Sequence, residues 1–99
     1  MDGHAAEVAA LCEAVLHIPG ATDVDERQAA YDGVGLEGVL ATYVRKVHES
    51  PHRITDSDVA ALKAAGYSEE AIFEITVAAA VGAARSRLDA GLRALREAI

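Results

Sequence analysis

Seven consecutive residues in the second half of the chain are alanine, valine or glycine: Ala78-Ala79-Ala80-Val81-Gly82-Ala83-Ala84. A helix over this run is small and apolar on every face, whereas a surface helix keeps a polar side. We therefore expect other helices to surround it. Alanine occupies 22 positions of the whole chain, and only 4% of the residues are aromatic. Such a chain builds its core by close approach of helix backbones, which predicts an all-α fold.

The 99 residues are expected to form one small domain, spanning 1–99. A chain of this length buries only roughly 60–65% of its unfolded surface, so a single copy is marginally stable. We therefore predict an oligomer, with the C-terminal helix at or near the contact between subunits. The alternative is that the small-residue run is the central helix of the chain's own bundle.

Apolar periodicity and capping residues predict a bundle of about five helices. Thr55 and Asp58 resemble a capping box, Gly66 suits a left-handed helix end, and Ser68 can cap the helix that follows. If the last helix bends or breaks anywhere, Gly82 is the place. The predicted helices are 5–16, 24–31, 36–48, one that begins after Thr55, and one from Ser68 to the end. The apolar positions that repeat along the last helix are Phe73, Val77, Val81, Ala84, Leu88, Leu92, Leu95 and Ile99.

Charge and cysteine content exclude several classes of partner and site. The net charge is −7, the opposite sign from a nucleic-acid binder, and an anionic membrane surface would repel the chain. No uncharged apolar run is long enough to span a bilayer. The single cysteine excludes an intrachain disulfide and fits a reducing compartment. Because the N-terminus lacks the pattern of a signal peptide, we expect a cytoplasmic protein.

Residues 43–95 resemble the carboxymuconolactone decarboxylase / alkylhydroperoxidase D-like family. The resemblance rests on YVRKV at 43–47, ITDSDVAALKAAGYSEEAI at 54–72, EITVAAA at 74–80, and Arg87-Leu88. The family implies an all-α fold that assembles into trimers or hexamers. It also implies one of two activities, a dithiol peroxidase or a decarboxylase.

The redox branch of the family uses a Glu, a Cys-x-x-Cys pair and a His four residues after the second Cys. Two thiols are needed because one attacks the peroxide and the other resolves the sulfenic acid as a disulfide. Around Cys12 the resolving position is Val15. If Glu74 is taken as the Glu of the motif, the two Cys positions are occupied by Ser86 and Asp89, and the His position by Arg93. A peroxidase that uses Cys12 alone therefore needs a resolving thiol from outside the chain.

The decarboxylase branch needs a cavity that stabilises an enolate beside a leaving carboxylate. His48 and His52, with Tyr43 and Lys46, cluster around the break at Pro51 and are candidate catalytic residues; solvated loop histidines are the alternative. The two histidines have the spacing of metal ligands on a helix, but Pro51 interrupts that helix. We therefore expect no metal and no cofactor.

Glu74 is the fifth candidate catalytic residue, because it lies one turn into a helix between apolar neighbours. Burial alone would raise its pKa and make it a general acid or base, whereas a cationic partner would lower it. A solvent-facing position is the alternative.

The leading interpretation is a non-redox assembly or accessory domain without cofactor. A cofactor-free lyase or decarboxylase acting on a small carboxylate is the alternative, and a peroxidase that uses Cys12 is a third hypothesis. The partner we expect is another copy of the chain, and a small-molecule ligand stays open.

Overall fold

A computed structural model describes residues 5–99, and every regular element in that range is helical. The predicted all-α class is therefore confirmed for this part of the chain. A single 3₁₀ turn, Pro51–Arg53, follows the third helix where Pro51 was expected to end it. The helices are α1 (Ala5–His17), α2 (Val24–Asp32), α3 (Gly38–Glu49), α4 (Asp56–Ala64) and α5 (Glu69–Ala98).

Side chains that cap free backbone groups set the starts of three helices. Asp23 accepts a hydrogen bond from the backbone N of Glu26 at 2.7 Å and so begins α2. Thr55 and Asp58 form the predicted capping box of α4. Ser68 accepts from the backbone N of Ala71 at 3.1 Å and begins α5. Local sequence therefore determines where these helices begin.

The long helix α5 runs unbroken from Glu69 to Ala98, so the chain does not break at Gly82. Gly82 instead allows α2 to pack directly against α5. A Cβ atom at this position would lie 1.9 Å from the carbonyl oxygen of Tyr31, which belongs to α2. The core therefore depends on close backbone approach, as the alanine content predicted.

One face of α5 forms the centre of the chain's own bundle, which was the alternative to placing the small-residue run at a subunit contact. The buried residues of α5 are Ala71, Ile72, Ile75, Ala78, Ala79, Gly82 and Ala83. Four of them, Ile72, Ile75, Ala78 and Ala79, form one core cluster with Leu40, Tyr43, Val44 and Val47 of α3, Ala30 of α2 and Leu62 of α4. The apolar stripe whose periodicity predicted helix 36–48 is confirmed as part of the core, and its residues are Leu36, Val39, Leu40, Tyr43, Val44 and Val47.

The repeating apolar positions of α5 lie on the opposite face, away from the bundle. Phe73 is 69% exposed, Leu88 and Leu95 are each 43% exposed, and Ile99 is 93% exposed. Ala80 and Ala84 on this face are exposed as well, and no residue after Ala83 is buried. The periodicity that predicted the helix therefore does not mark its buried face, because α2 requires small residues where it crosses α5.

Candidate functional site

The carboxylate of Glu74 holds the loop between α1 and α2. Its Oε2 accepts from the backbone N of Ala21 at 2.8 Å. Its Oε1 accepts from the backbone N of Thr22 at 2.9 Å and from the Thr22 hydroxyl at 2.7 Å. A Cβ atom on Gly20 would lie 2.5 Å from Oε2, so only glycine leaves room for the carboxylate there.

These contacts also decide the charge of Glu74. Hydrogen bonds from the Thr22 hydroxyl and from the backbone of Ala21 and Thr22 lower its pKa, and the Arg27 guanidinium lowers it further. The sequence left open whether burial raises the pKa of Glu74 or a cationic partner lowers it. The pKa is lowered, and the main cause is hydrogen bonding to the loop and not the cation. At neutral pH Glu74 is an ionised acceptor that positions the loop.

Arg27, which belongs to no recognisable sequence motif, is buried beside this loop. Only 4% of the residue is exposed, and its Nη1 donates to the carbonyl oxygens of Val15 and Ile18 at the C-terminal end of α1. Its Nε is the one buried side-chain nitrogen or oxygen in residues 5–99 that has no hydrogen-bond partner. The only sequence signal for Arg27 is that it is the sole basic residue of α2. The guanidinium of Arg27 is buried because it caps the end of α1, and this contact between two helices cannot be read from the sequence of α2.

A small, mainly apolar groove of about 180 Å³ lies next to Arg27 and Glu74. Its apolar walls are Val15, Ile18, Pro19, Phe73 and Val77. Phe73 and Val77 belong to the outward face of α5, so the groove continues that apolar face toward the α1–α2 loop.

A second groove, of about 500 Å³, is polar and lies where α2 ends against α3 and α5. His48 enters it from α3, and its Nε2 donates to the carbonyl oxygen of Ala30 at 2.8 Å. Arg85 pairs with Asp89 across 3.2 Å on the α5 side. The principal side chains that line this groove are Tyr31, His48, Arg85, Ser86, Asp89 and Arg93.

The thiol of Cys12 lies near Tyr31 and Arg85, two of the residues that line this groove. Cys12 is only 6% exposed. Burial, followed by the hydrogen bond to Cys12, raises the pKa of the Tyr31 hydroxyl, so the phenol stays protonated at neutral pH. The hydrogen bonds to Cys12 and then Asp89 raise the pKa of Arg85, which keeps its positive charge. The thiol therefore has a neutral phenol and a guanidinium as neighbours.

The remaining candidate residues serve contacts between helices. The Tyr43 hydroxyl donates to Thr76 Oγ1 at 2.6 Å, because the Thr76 hydroxyl itself donates to the carbonyl oxygen of Ile72. Lys46 pairs with Asp58 across 2.8 Å and joins α3 to α4. That hydrogen bond, with one from the backbone of Thr55, lowers the pKa of Asp58.

His52 is exposed in the 3₁₀ turn. The structure therefore does not bring the five candidate residues into one cavity. His48 lines the polar groove and Glu74 the apolar groove, while Tyr43, Lys46 and His52 line neither.

Nowhere between residues 5 and 99 do three or more His, Cys, Asp or Glu side chains gather as a metal ion would need. No helix of the same range combines the length and hydropathy needed to cross a bilayer. The chain matches no protein-family model, no curated protein and no solved structure at a significant level.

Proposed function

We propose that this chain is a cytoplasmic, non-redox helical domain that assembles with copies of itself and works as an assembly or accessory domain. The proposal rests on the exposed apolar face of α5. Phe73, Leu88, Leu95 and Ile99 all lie on it and are between 43% and 93% exposed. Large contiguous apolar patches on a protein surface mark interaction sites.

The two faces of α5 contribute separately to folding and to assembly. The inward face of α5 is already buried against α2 and α3, so covering the outward face does not disturb the fold. Fully burying a Leu or Phe side chain contributes about 1.5–3 kcal/mol, and each chain offers four large apolar side chains. A contact of this kind is large enough to offset part of the entropy that association costs.

The proposal also places the chain in the carboxymuconolactone decarboxylase / alkylhydroperoxidase D-like family, as a member without the redox motif. The capping box at Thr55 and the Ser68 cap fall within the segment that resembles the family. Ser86, Asp89 and Arg93, at the motif positions counted from Glu74, all line the polar groove. They place oxygen and nitrogen atoms there and no sulfur, which supports a role without dithiol chemistry.

Sedimentation velocity over a wide range of protein concentration tests the assembly. We expect a species of at least twice the 10.3 kDa chain mass. The variant Leu88→Glu/Leu95→Glu should shift it toward single copies, because it places charge on the apolar face. Ala90→Glu is the matched control, since Ala90 is exposed on the same helix but lies off that face. A wild-type chain that sediments as a single copy at every concentration would overturn the proposal.

A second candidate, a lyase acting on a small carboxylate, is favoured by the polar groove alone. Arg85, Arg93 and His48 place two cations and an imidazole around about 500 Å³ of space, and guanidinium groups bind carboxylates in bidentate fashion. Adipate titrated into the protein should shift the His48 ring resonances in NMR spectra, and Arg93→Gln should weaken the effect. Arg45→Gln is the control, because Arg45 is exposed and does not line the groove. Unchanged His48 resonances at high adipate concentration would exclude this candidate.

A further inference from the structure

The apolar groove beside the α1–α2 loop combines exposed hydrophobic surface with a buried cation. Arg27 and Glu74 lie at this groove, and the rest of its lining is Val15, Ile18, Pro19, Phe73 and Val77. The Ile18 and Phe73 side chains are both exposed, whereas Arg27 is buried. Concave apolar surface with a few polar groups directed at it is typical of small-molecule sites.

Arg27 has a hydrogen-bond donor that the described part of the chain does not use. Its Nη1 donates to the carbonyl oxygens of Val15 and Ile18, whereas its Nε is buried without an acceptor. A buried donor without a partner is costly, and such groups are uncommon in folded proteins. Because the Arg27 side chain lines the groove, a ligand that brings an acceptor to the guanidinium would remove this cost.

The charges at the groove favour a neutral ligand. The Arg27 guanidinium is close enough to lower the pKa of Glu74, so a positive and a negative charge lie together there. An anion would be repelled by the Glu74 carboxylate, and a cation by the guanidinium. Both oxygens of Glu74 already accept hydrogen bonds from the α1–α2 loop. The ligand therefore needs an acceptor for Arg27 and no donor for Glu74.

The size of the groove limits the ligand to a small molecule. Its volume is about 180 Å³, and an engineered apolar cavity of about 150 Å³ binds benzene. Drug-sized ligands usually occupy pockets of roughly 300 Å³ or more. The groove therefore has room for one ring of about the size of benzene with a short substituent.

We infer that this groove is a binding site for a neutral, ring-sized apolar molecule that carries a carbonyl oxygen. The ring contacts Ile18, Phe73 and Val77, and the carbonyl oxygen accepts a hydrogen bond from Arg27 Nε. This site is separate from the polar groove, because none of its lining residues lines both grooves. It does not depend on the proposed assembly.

Three probes of nearly the same shape test the site: acetophenone, α-methylstyrene and benzoate. α-Methylstyrene carries a CH₂ group in place of the carbonyl oxygen of acetophenone, and benzoate carries a negative charge. Each is titrated into the protein while the Arg27 Nε–Hε signal and the Phe73 ring signals are followed by NMR. The titrations are repeated in the Leu88→Glu/Leu95→Glu chain, in which a second copy is expected not to cover Phe73.

Acetophenone should shift both the Arg27 Nε–Hε signal and the Phe73 ring signals. α-Methylstyrene should shift the Phe73 signals alone and bind about tenfold more weakly, since it cannot accept a hydrogen bond from a charged donor. Benzoate should also bind more weakly than acetophenone because of Glu74. The His48 ring signals, which report on the polar groove, should stay in place with acetophenone.

A matched pair of variants locates the bound ring. Phe73→Ala should weaken acetophenone binding about threefold or more, because it removes apolar surface from the groove. Leu95→Ala is the control, since Leu95 is an exposed apolar residue of the same helix and does not line the groove. Both positions are exposed, so neither substitution disturbs the core.

Three results would overturn the inference. Absence of acetophenone binding in both chains would exclude the site. Equal affinity for acetophenone and α-methylstyrene, with the Arg27 signal unmoved, would show that the groove takes apolar molecules without using the guanidinium. Tighter binding of benzoate than of acetophenone would contradict the neutral class of ligand. None of these results bears on whether the chain assembles, which sedimentation measures.

Discussion

Gly82 of α5 lies directly against the carbonyl oxygen of Tyr31 in α2, so close that a Cβ atom on Gly82 would come within 1.9 Å of that oxygen. This contact sets the distance between the two helices. It also places Tyr31 beside Arg85 and Cys12, and it forms one wall of the polar groove.

Gly82→Ala is expected to destabilise the protein by about 2–3 kcal/mol or more, because the added methyl group forces backbone to move. Gly91→Ala is the matched control on the same helix, since a Cβ atom there meets nothing within 4 Å. Alanine should stabilise the helix at that position by about 0.5–1 kcal/mol. Urea unfolding at one fixed protein concentration measures both. Equal stabilities of Gly82→Ala and wild type would contradict the close contact.

Glu74 is expected to make stability depend on pH in the acidic range. Its pKa is lower in the folded chain than in the unfolded chain. Its contribution is therefore complete above the unfolded value of about 4.3 and is lost as the pH falls through the folded value. Glu74→Gln should flatten this dependence and lower stability at pH 7, because an amide NH₂ cannot accept from the loop. Thermal unfolding between pH 3 and 7 measures the effect, and an unchanged acid dependence in the variant would refute it.

Arg27→Met is expected to cost about 1–3 kcal/mol, because the carbonyl oxygens of Val15 and Ile18 lose their buried donor. Arg27→Lys keeps the charge without the planar guanidinium and should lose less. Chemical unfolding compares the two variants. If Arg27→Met proved as stable as wild type, the guanidinium would have no role in holding α1.

Cys12 is expected to be inert in the folded protein because it is 6% exposed. A disulfide reagent should react with it slowly in buffer and rapidly in denaturant. Hydroperoxide loss with a thiol reductant should match that of Cys12→Ser. A clear rate that depends on Cys12 would restore the peroxidase hypothesis.

Some of this molecule could be predicted from local sequence. The all-helical class, the starts of α2, α4 and α5 and the apolar stripe of α3 follow from periodicity and from side chains that cap the nearest backbone groups. These interactions join residues three or four positions apart, so the sequence alone contains the information.

The roles of individual candidate residues could not be read in the same way. Glu74 accepts hydrogen bonds from Ala21 and Thr22, more than fifty positions earlier in the chain. Arg27 is buried because its guanidinium donates to carbonyl oxygens at the C-terminal end of α1. Local pattern does not show which distant backbone groups meet a side chain.

Apolar periodicity and composition show that α5 is a long helix, apolar on two faces and rich in small residues. Which of the two faces is buried depends on how the other helices pack against it. Phe73 and the leucines have the stronger periodicity, yet the smaller face around Gly82 faces inward. The physical reason is that α2 packs backbone against backbone at Tyr31, where a large side chain has no room, and the larger side chains are left outside.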